Sequence, residues 1–432
     1  MSNTLALFGG TAVRNEPFPP FPVLGKEEHD AVLEVLREGR LSTFIASPGE
    51  LFGGGKRIRK FEEEFAVYHS VKYAVAFNSA TAALHAAVVG VGVQPGEEII
   101  TTPYTFTSSA TCALMHNAIP VFADVDGESF NISPASIKET ITPLTRALIP
   151  VHLFGNPAPM DEILEIAKER GLKVIEDVAQ APGARCGERL CGTMGDCGVF
   201  SFQETKNMMT GEGGMLITND DQIAEVARLI RNHGEAIAHT MTKRSYASEA
   251  LGYNYRMTEF EAAIGRVQLK HLDESNAVRR QHANYLTEHL GVFPGITPPK
   301  VIADSTHVYY VYPFTYDETE TGIPRQLFAD ALQAEGIPLG VGYVKPLYYS
   351  PLFQERRAFA FKHYKGSARY DAGLCPVAEE LHFKKLLLIP VVRPPARTED
   401  MHDIVLAVEK IMKNRSELQA RGQPQRALAA AR

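Results

Sequence analysis

Short apolar runs rich in β-branched residues alternate with stretches of helical periodicity over the first 234 residues of the chain. Runs of this kind predict buried strands, and their alternation with amphipathic segments predicts an α/β architecture with a mainly parallel sheet between helices. We expect seven strands in that sheet, at residues 73–77, 97–102, 120–126, 147–155, 172–179, 198–202 and 214–219.

Four segments between these runs have the pattern of helices. Asn78 or Ser79 can cap a helix that follows the first strand, and residues 103–117 begin another. Residues 160–171 and 221–234 are amphipathic, and each ends in a glycine, which is typical of a helix C terminus.

The pattern changes near residue 266, where one long, charge-rich helix is expected over 268–290 and a half-buried strand over 307–317. A second, smaller α+β domain therefore packs on the first through this helix. The last residues are rich in Ala, Arg and Gln and have little to bury, which predicts a disordered tail. The predicted organisation is an N-terminal arm (1–25), a large domain (26–265), a small C-terminal domain (266–412) and the tail (413–432).

Composition narrows the class of protein. With 45% hydrophobic and 22% charged residues, the 432-residue chain has the balance of a globular protein. Its net charge of −7 gives no basic excess, so nucleic acid is not an expected partner. No apolar run reaches the roughly 18 residues that a membrane span needs. The N terminus lacks a secretory signal and cysteines are few, so we expect a cytoplasmic protein.

The sequence lacks the motifs of several familiar metal, nucleotide and hydrolase sites. Cys186, Cys191 and Cys197 lack the spacing and the histidine pair of a zinc site, so we interpret them as ordinary thiols and expect no metal. The glycine-rich stretch 90–96 precedes a strand instead of following one, which excludes a dinucleotide fingerprint. Residues 51–60 lack the spacing of a phosphate loop, and neither HExxH nor GxSxG occurs.

Polar or aromatic side chains stand at the ends of four predicted strands. Residues 78–81, Phe106, Asp177 and Ser201 follow or end a strand, and Lys206 comes shortly after the strand that contains Ser201. Ligands of open α/β sheets bind beyond the carboxyl ends of the strands, so these residues are the candidates for a site. Each taken alone has an ordinary structural explanation, whereas their joint occurrence in this order favours a site.

Together these residues match the needs of pyridoxal phosphate (PLP). The aldehyde of PLP forms a Schiff base with a lysine, and a buried carboxylate keeps its pyridine nitrogen protonated. Lys206 and Asp177 suit these two roles. Backbone N–H groups and hydroxyls at a helix N terminus suit the phosphate, which indicates Ala80, Thr81 and Ser201.

Five segments resemble those of the DegT/StrS-type sugar aminotransferases, which are PLP enzymes of the aspartate aminotransferase fold (fold type I). The resemblance covers residues 5 to 412 and implies a homodimer with two sites at the interface. The segments are NSATAAL (78–84), TPYTF (102–106), IEDVAQAPGA (175–184), SFQETKNMMTGEGG (201–214) and GYNYRMTEFEAAIGRVQL (252–269).

The resemblance assigns roles around the cofactor ring. It implies that Lys206 forms the Schiff base and then moves the proton, and that Asp177 pairs with the pyridinium. Gln180 would hydrogen-bond the phenolic oxygen, and Phe106 would stack on the ring.

The resemblance also assigns the phosphate contacts. Ser79, Ala80, Thr81 and Ser201 would hold the phosphate, and Asn254 would reach it from the partner subunit. Family members usually have glycine at the position of Ala80, and a methyl group is compatible with the loop if the backbone stays at negative φ.

Lys206 also indicates the reaction. Family members that dehydrate sugars carry histidine at this position, so the lysine favours amino transfer by a ping-pong mechanism. A PLP-dependent lyase or dehydratase remains an alternative, as does a non-catalytic sensor.

The sequence resembles two branches of the family that act on different substrates. Residues 5–22, 344–353 and 374–383 resemble glutamine:scyllo-inosose aminotransferases and aminohydroxybenzoate synthases. Residues 210–216 and 251–265 are equally typical of enzymes that act on nucleotide-linked keto sugars, such as perosamine synthase. We expect a cyclic keto sugar or keto-cyclitol as acceptor and glutamate or glutamine as donor.

Basic residues are candidates for a substrate carboxylate or diphosphate. They are Arg256 and the run of Lys56, Arg57, Arg59 and Lys60, for which a solvated helix start is the ordinary alternative. His152 and His233 are candidates for the mouth of the site, although a lone histidine is more often structural.

Overall fold

The computed structural model describes residues 4–44, 49–235 and 248–420. The strands are β1 (Tyr73–Phe77), β2 (Glu98–Thr101), β3 (Ile119–Phe122), β4 (Thr145–Ile149), β5 (Lys173–Asp177), β6 (Arg185–Cys186), β7 (Arg189–Leu190), β8 (Cys197–Ser201), β9 (Gly214–Thr218), β10 (Ile296–Thr297), β11 (Ser305–Thr306), β12 (Tyr312–Tyr316), β13 (Gly340–Val341) and β14 (Leu386–Ile389).

The helices are α1 (Lys26–Glu38), α2 (Lys56–His69), α3 (Ala80–Gly90), α4 (Ser108–Met115), α5 (Pro134–Thr140), α6 (Met160–Arg170), α7 (Asp221–Arg231), α8 (Glu259–Leu290), α9 (Glu318–Thr321), α10 (Arg325–Ala334), α11 (Pro351–Gln354), α12 (Pro376–Glu380) and α13 (Thr398–Lys413). Short 3₁₀ turns are Ala6–Phe8, Glu50–Gly53, Leu153–Gly155, Leu347–Tyr349 and Phe359–Lys362, and Leu381–Lys385 is a π-helical turn.

All seven predicted strands form one sheet, in the order β1-β9-β8-β5-β4-β2-β3. Strand β9 is antiparallel to both of its neighbours, whereas the other four pairs are parallel. Strands β2, β8 and β9 are buried along their whole length, as expected for a sheet covered on both faces. The predicted α/β fold with a mainly parallel seven-stranded sheet is confirmed.

Helix α3 connects the first strand to the candidate site. Its N-cap is Ser79, whose side chain accepts the N–H of Ala82, so the second of the two predicted caps is the one used. The alanine-rich helix is buried from Ala82 to Val88 and packs against α4, α7 and the sheet. Small side chains let its backbone approach the sheet closely, which fixes the position of its N terminus.

Two helix boundaries differ from those expected. Helix α7 ends at Arg231, three residues before Gly234, because Asn232 leaves the helical conformation and pairs with Asn254 in an antiparallel bridge. Helix α8 begins at Glu259 instead of residue 268, since Thr258 and Glu261 form a capping box there. The proposed boundary between residues 265 and 266 therefore falls inside a helix.

A four-stranded antiparallel sheet, in the order β10-β12-β14-β13, forms the centre of the C-terminal part. Its core includes Leu5 from the N-terminal region, together with side chains of α10 and α13. The buried carboxylate of Glu335 accepts the N–H groups of Ala6 and Val13 and pairs with Lys410. These contacts attach the first residues of the chain to the smaller sheet.

The strand expected over 307–317 is shorter in the structure, where β12 begins at Tyr312. The preceding residues follow a different path because the N–H groups of Val308 and Tyr310 donate to the carbonyls of Gly155 and Phe154. This pairing brings Tyr310 from the C-terminal part to the edge of the large sheet.

Ordered structure continues past residue 413, the expected start of the disordered tail. Residues 415–420 are helical, Leu418 is fully buried, and Gln419 donates to the carbonyl of Thr321. Residues 421–432 lie outside the described part of the chain. Among the described helices, none has both the length and the apolar composition that crossing a bilayer requires.

Candidate active site

A cavity of about 460 Å³ lies at the carboxyl ends of β5 and β8 and the N terminus of α3. A larger cavity of about 690 Å³, around residues 126–134 and 300–305, contains none of the predicted site residues. We assign the site to the smaller cavity because it joins eight of them: Ser79, Ala80, Thr81, Phe106, Asp177, Gln180, Ser201 and Lys206.

Asp177 ends strand β5 and presents a buried carboxylate to the cavity. Its oxygens accept the Ser109 hydroxyl at 2.7 Å and the Ala179 N–H at 3.1 Å. Burial raises the pKa of this carboxyl, and the two hydrogen bonds and the charge of Lys206 act against that rise. A cation bound in the cavity favours the charged form further, so the site suits a protonated ring nitrogen.

Gln180 has an amide whose orientation is fixed by its neighbours. Its Oε1 accepts the N–H of Phe154 at 2.7 Å, and its Nε2 donates to the hydroxyl of Tyr343 at 3.0 Å. An amide nitrogen has two hydrogens, so one remains to donate to a phenolic oxygen in the cavity.

The N terminus of α3 faces the same cavity. The N–H groups of Ala80 and Thr81 have no intrahelical acceptor, and none of the described residues accepts from them. Ala80 is the first residue of the helix and so has a helical, negative φ, which accommodates its methyl group. Two free N–H groups beside hydroxyls suit a phosphate dianion.

Gly214 brings Ser201 to this helix. It is paired with Ser201 across strands β8 and β9. A Cβ at residue 214 would lie 2.4 Å from the carbonyl carbon of Ser79 and 2.5 Å from the nitrogen of Ala80. Only glycine permits this approach, and Ser201, Ala80 and Thr81 line the same cavity.

Lys206 lies on the turn after β8, where its N–H donates to the carbonyl of Gln203 at 2.9 Å. Its Nζ is 4.4 Å from the centroid of the Tyr310 ring. Among the described residues this ammonium group has neither a hydrogen-bond partner nor a carboxylate partner. The amine is therefore available for chemistry in the cavity.

Comparison with known proteins agrees with this arrangement. The pattern of the DegT/DnrJ/EryC1/StrS aminotransferase family matches residues 24–409, which is most of the chain. The chain belongs to this aminotransferase family. Enzymes of the family depend on PLP.

Three similar proteins illustrate the range of the family. The aminotransferase is 35% identical to L-glutamine:2-deoxy-scyllo-inosose aminotransferase of Streptoalloteichus tenebrarius, over 96% of this chain and 99% of the relative. It is 39% identical to GDP-perosamine synthase of Caulobacter vibrioides, over 73% of this chain and 81% of the relative. The crystal structure of 3-amino-5-hydroxybenzoic acid synthase superimposes with a TM-score of 0.80 at 28% identity, over 93% and 100% of the two chains. The fold is thus that of the fold type I aminotransferases.

Of the eight predicted residues that line the cavity of the aminotransferase, Phe106 is the one that is largely exposed, at 59%. It lies at the rim of the cavity, whereas most aromatic side chains near the sheet are buried. A flat apolar side chain in this place gains burial when an aromatic ring stacks on it.

His152, a candidate for the mouth of the site, does not face the cavity and has the structural role that is more usual for a lone histidine. It is fully buried; its Nδ1 accepts the N–H of Ala158 at 3.0 Å, and its Nε2 lies 3.1 Å from the Glu176 carboxylate. Because Nδ1 is an acceptor, the proton is on Nε2 and is donated to Glu176. The neighbouring Val151 lines the site in its place.

Arg57 is likewise unavailable to a substrate. It is buried and binds the carboxylates of Glu38 at 2.7 Å and Glu34 at 3.2 Å, which joins α2 to α1. Lys56, at the exposed start of α2, and the exposed His233 do not line the cavity. The basic run is therefore the start of helix α2, as in the ordinary interpretation.

Arg256 and Asn254 lie outside the cavity of their own chain. The Arg256 guanidinium donates to the side chain of Asn232 at 3.1 Å, and the carbonyl of Asn254 accepts from Asn78 at 3.4 Å. Asn254 is expected to act in the site of a partner subunit, which a single chain does not test. Its role therefore stays a prediction.

The three clustered cysteines are buried thiols. Within residues 4–44, 49–235 and 248–420, no three His, Cys, Asp or Glu side chains are arranged to hold a metal ion.

Sequence reasoning missed several residues that line the cavity. Ser109 supports Asp177, Tyr310 contacts Lys206, and Tyr343 contacts Gln180. Ser109 comes one turn after Phe106 in a polar stretch, which is a usable signal. Tyr310 and Tyr343 come from the C-terminal part, and no local pattern marks them.

Proposed function

We propose that this aminotransferase moves an amino group from glutamate or glutamine to a cyclic keto sugar or keto-cyclitol. The observation that carries the proposal is the convergence of an unpaired amine, Lys206, and a buried carboxylate, Asp177, on one cavity. A phosphate site at the N terminus of α3 completes the set. Bound PLP supplies an aldehyde that links to amines and a cationic ring that accepts electrons from the adjacent carbon.

Each residue has a defined task in this proposal. Lys206 would hold the cofactor through its amine and, when that amine is free, would move a proton to and from the donor carbon. Asp177 would keep the ring nitrogen protonated. Gln180 would donate its free N–H to the phenolic oxygen, and Phe106 would cover the ring face.

The phosphate end fixes the position of the cofactor. The N–H groups of Ala80 and Thr81 and the hydroxyls of Ser79 and Ser201 would hold it, and the helix dipole would favour its charge. We further propose a homodimer in which Asn254 reaches the phosphate of the partner's site, since Asn254 is exposed and does not line the cavity of its own chain.

The nature of the acceptor separates two candidates. Similarity to a glutamine:scyllo-inosose aminotransferase over 96% of the chain supports a free cyclitol or sugar ketone. Similarity to a GDP-perosamine synthase over 73% supports a nucleotide-linked keto sugar. An activity assay with a panel of both kinds of ketone, in which mass spectrometry identifies the aminated products, decides between them. Loss of water from a sugar without formation of a keto acid would instead indicate a dehydratase.

Replacement of the reactive amine tests the proposal. We expect Lys206→Ala to abolish formation of a keto acid from glutamate or glutamine. Among the described residues, no second lysine lines the cavity that could replace Lys206 in the linkage to PLP or in the proton transfer. Lys168→Ala removes an exposed lysine of α6 and serves as the control with unchanged turnover. Full turnover by Lys206→Ala would refute the assignment of this site.

A further inference from the structure

Tyr310 contacts both the reactive amine and the turn that carries it. The centroid of its ring is 4.4 Å from Nζ of Lys206. Its hydroxyl is 2.8 Å from the hydroxyl of Thr205, which in turn donates to Oε1 of Gln203 at 2.7 Å. A threonine hydroxyl has one hydrogen, and Gln203 accepts it, so Tyr310 is the donor in its bond to Thr205. Because Thr205 directly precedes Lys206, this bond fixes the ring relative to the amine.

The backbone next to Tyr310 is strained. Tyr309, directly before it, has a φ of 46°, and Phe154, on the segment that pairs with it, has a φ of 59°. Left-handed backbone costs free energy at side chains of this size and persists only where the surroundings over-determine it. His307 is part of these surroundings. Its ring stacks on that of Tyr309 with the centroids 3.6 Å apart, and its Nδ1 accepts the N–H of Tyr309 at 2.9 Å.

Backbone pairing holds the same segment from the other side. The N–H of Val308 donates to the carbonyl of Gly155 at 3.0 Å, and the N–H of Tyr310 donates to that of Phe154 at 2.8 Å. A Cβ at Gly155 would lie 2.9 Å from the nitrogen of Tyr309, so only glycine allows this approach.

These contacts fix Tyr310 at a cavity and not in a core. The residue is half-buried, and it lines the candidate active site together with Gln203, Thr205 and Lys206. Backbone strain is concentrated at functional sites, where it places a group that the reaction needs. The group placed here is a ring whose face lies against the reactive amine.

We propose that Tyr310 is a positioning residue whose ring holds Nζ of Lys206 in the cavity whenever the amine is free. This inference rests on the proposed function. An aromatic face attracts an ammonium group that lies within about 6 Å of its centroid. The ring therefore stabilises the charged form of Lys206, which arises when the amine accepts a proton from the donor carbon and ends when it returns that proton. The hydroxyl of Tyr310 is bonded to Thr205, so the ring face is the part that acts.

Capture of PLP by the PLP-free protein tests the position of the amine without any turnover. The amine of Lys206 condenses with the aldehyde of added PLP, one water molecule leaves, and the absorbance of the bound cofactor records the rate. We expect Tyr310→Leu to form this link about 10-fold more slowly than the wild type, because the amine is no longer held.

Tyr73→Leu is the matched control. Nζ of Lys72 lies 5.0 Å from the centroid of the Tyr73 ring, which is a contact of the same kind at the start of β1, and neither residue lines the cavity. This variant should link PLP at the rate of the wild type. An equal loss in both leucine variants would contradict a role specific to Tyr310.

Steady-state kinetics give the second measurement. In Tyr310→Leu we expect kcat of amino transfer to fall about 10-fold, because the charged form of Lys206 loses the ring that stabilises it. KM for the donor and KM for the ketone stay the same, since the ring contacts the lysine and not the substrates.

The bond between the two hydroxyls is tested by variants that keep the side-chain volume. Tyr310→Phe and Thr205→Val should each slow the link to PLP about 2- to 5-fold, because the ring is no longer tied to the turn. The double variant should lose no more than Thr205→Val alone, since the partner of the tyrosine hydroxyl is then already absent. Thr205→Ser keeps the hydroxyl and should behave like the wild type. A further loss in the double variant would contradict the bond as the cause. These variants also test the proposal if Tyr310→Leu does not fold.

Two results would overturn the inference. One is linkage to PLP and turnover at wild-type rates in Tyr310→Leu. The other is a rise of KM for one substrate at unchanged kcat, which would make Tyr310 a substrate-binding residue. Failure of the proposed function would look different, because the wild-type protein would then release no keto acid from either donor, whatever the rates of linkage to PLP.

Discussion

Two consecutive acids of strand β5, Glu176 and Asp177, are both buried, and the sheet uses them in opposite ways. Successive residues of a strand point to opposite faces. Glu176 points away from the cavity, and its carboxylate accepts four donors: the N–H groups of Gly192, Met194 and Gly195 and the Nε2–H of His152. Asp177 points into the cavity and accepts two.

The difference teaches that burial alone does not identify a functional acid. What separates the two carboxylates is how many of their lone pairs are used by the protein. The acceptor positions of the Glu176 carboxylate are all used by protein donors. Its hydrogen bonds connect the loop at 192–195 and His152 to the strand, so it holds β5 in place. Asp177 keeps acceptor capacity facing an open cavity, so it is the acid that a ligand can use.

The largest effect is expected for the structural acid. Glu176→Gln replaces one acceptor oxygen by an NH₂ group that faces backbone or histidine donors, which leaves buried donors unpaired. We expect the free energy of unfolding to fall by about 3–5 kcal/mol, measured by urea unfolding. Glu165→Gln, at an exposed position of α6, is the control and should unfold like the wild type. Equal stability of the two variants would mean that Glu176 does not hold the loop.

The second effect concerns the functional acid and is measured as a loss of activity. Asp177→Asn keeps the shape of the side chain and removes its charge, so the ring nitrogen of bound PLP would lose the counter-ion that we propose for it. We expect kcat of amino transfer to fall about 10²- to 10³-fold, with unfolding no less cooperative than in the wild type. Ser109→Ala, which removes one donor and retains the acid, should lose much less. Comparable losses in both variants would show that the hydrogen bond and not the charge matters.

Local pattern predicted the strand and the position of Asp177 at its end, because strand ends and alternation are properties of short stretches. The capping box formed by Thr258 and Glu261 is also a local pattern, so the start of α8 could have been predicted from the sequence. The roles of His152 and Arg57 could not be predicted, since their partners Glu176 and Glu38 are distant in the chain. A histidine or arginine has the same appearance in sequence whether it meets a substrate or a buried carboxylate.

The distance in sequence between contacting residues also explains why one side of the site was not predicted. Tyr310 reaches Lys206 through backbone pairing between residues 308–310 and 154–155, which only the assembled fold creates. Tyr343 also comes from the C-terminal part. The cofactor side of the cavity was predictable because one sheet carries it, whereas the side contributed by the C-terminal part depends on packing between two sheets.

The smallest effect is a gain in stability on removing the functional acid. Burial raises the pKa of Asp177 in the folded protein, so ionising it costs more there than in the unfolded chain. Its contribution to stability is therefore greatest below the ordinary Asp pKa of about 3.9 and is lost as pH rises through the folded-state value. Without PLP, Asp177→Asn should thus be more stable than the wild type at neutral pH, by about 1 kcal/mol. Urea unfolding of the two PLP-free proteins from acid to neutral pH measures this, and the gap should widen with pH. A constant gap, or a less stable variant at neutral pH, would show that Asp177 is as well satisfied as Glu176 and would remove the contrast between them.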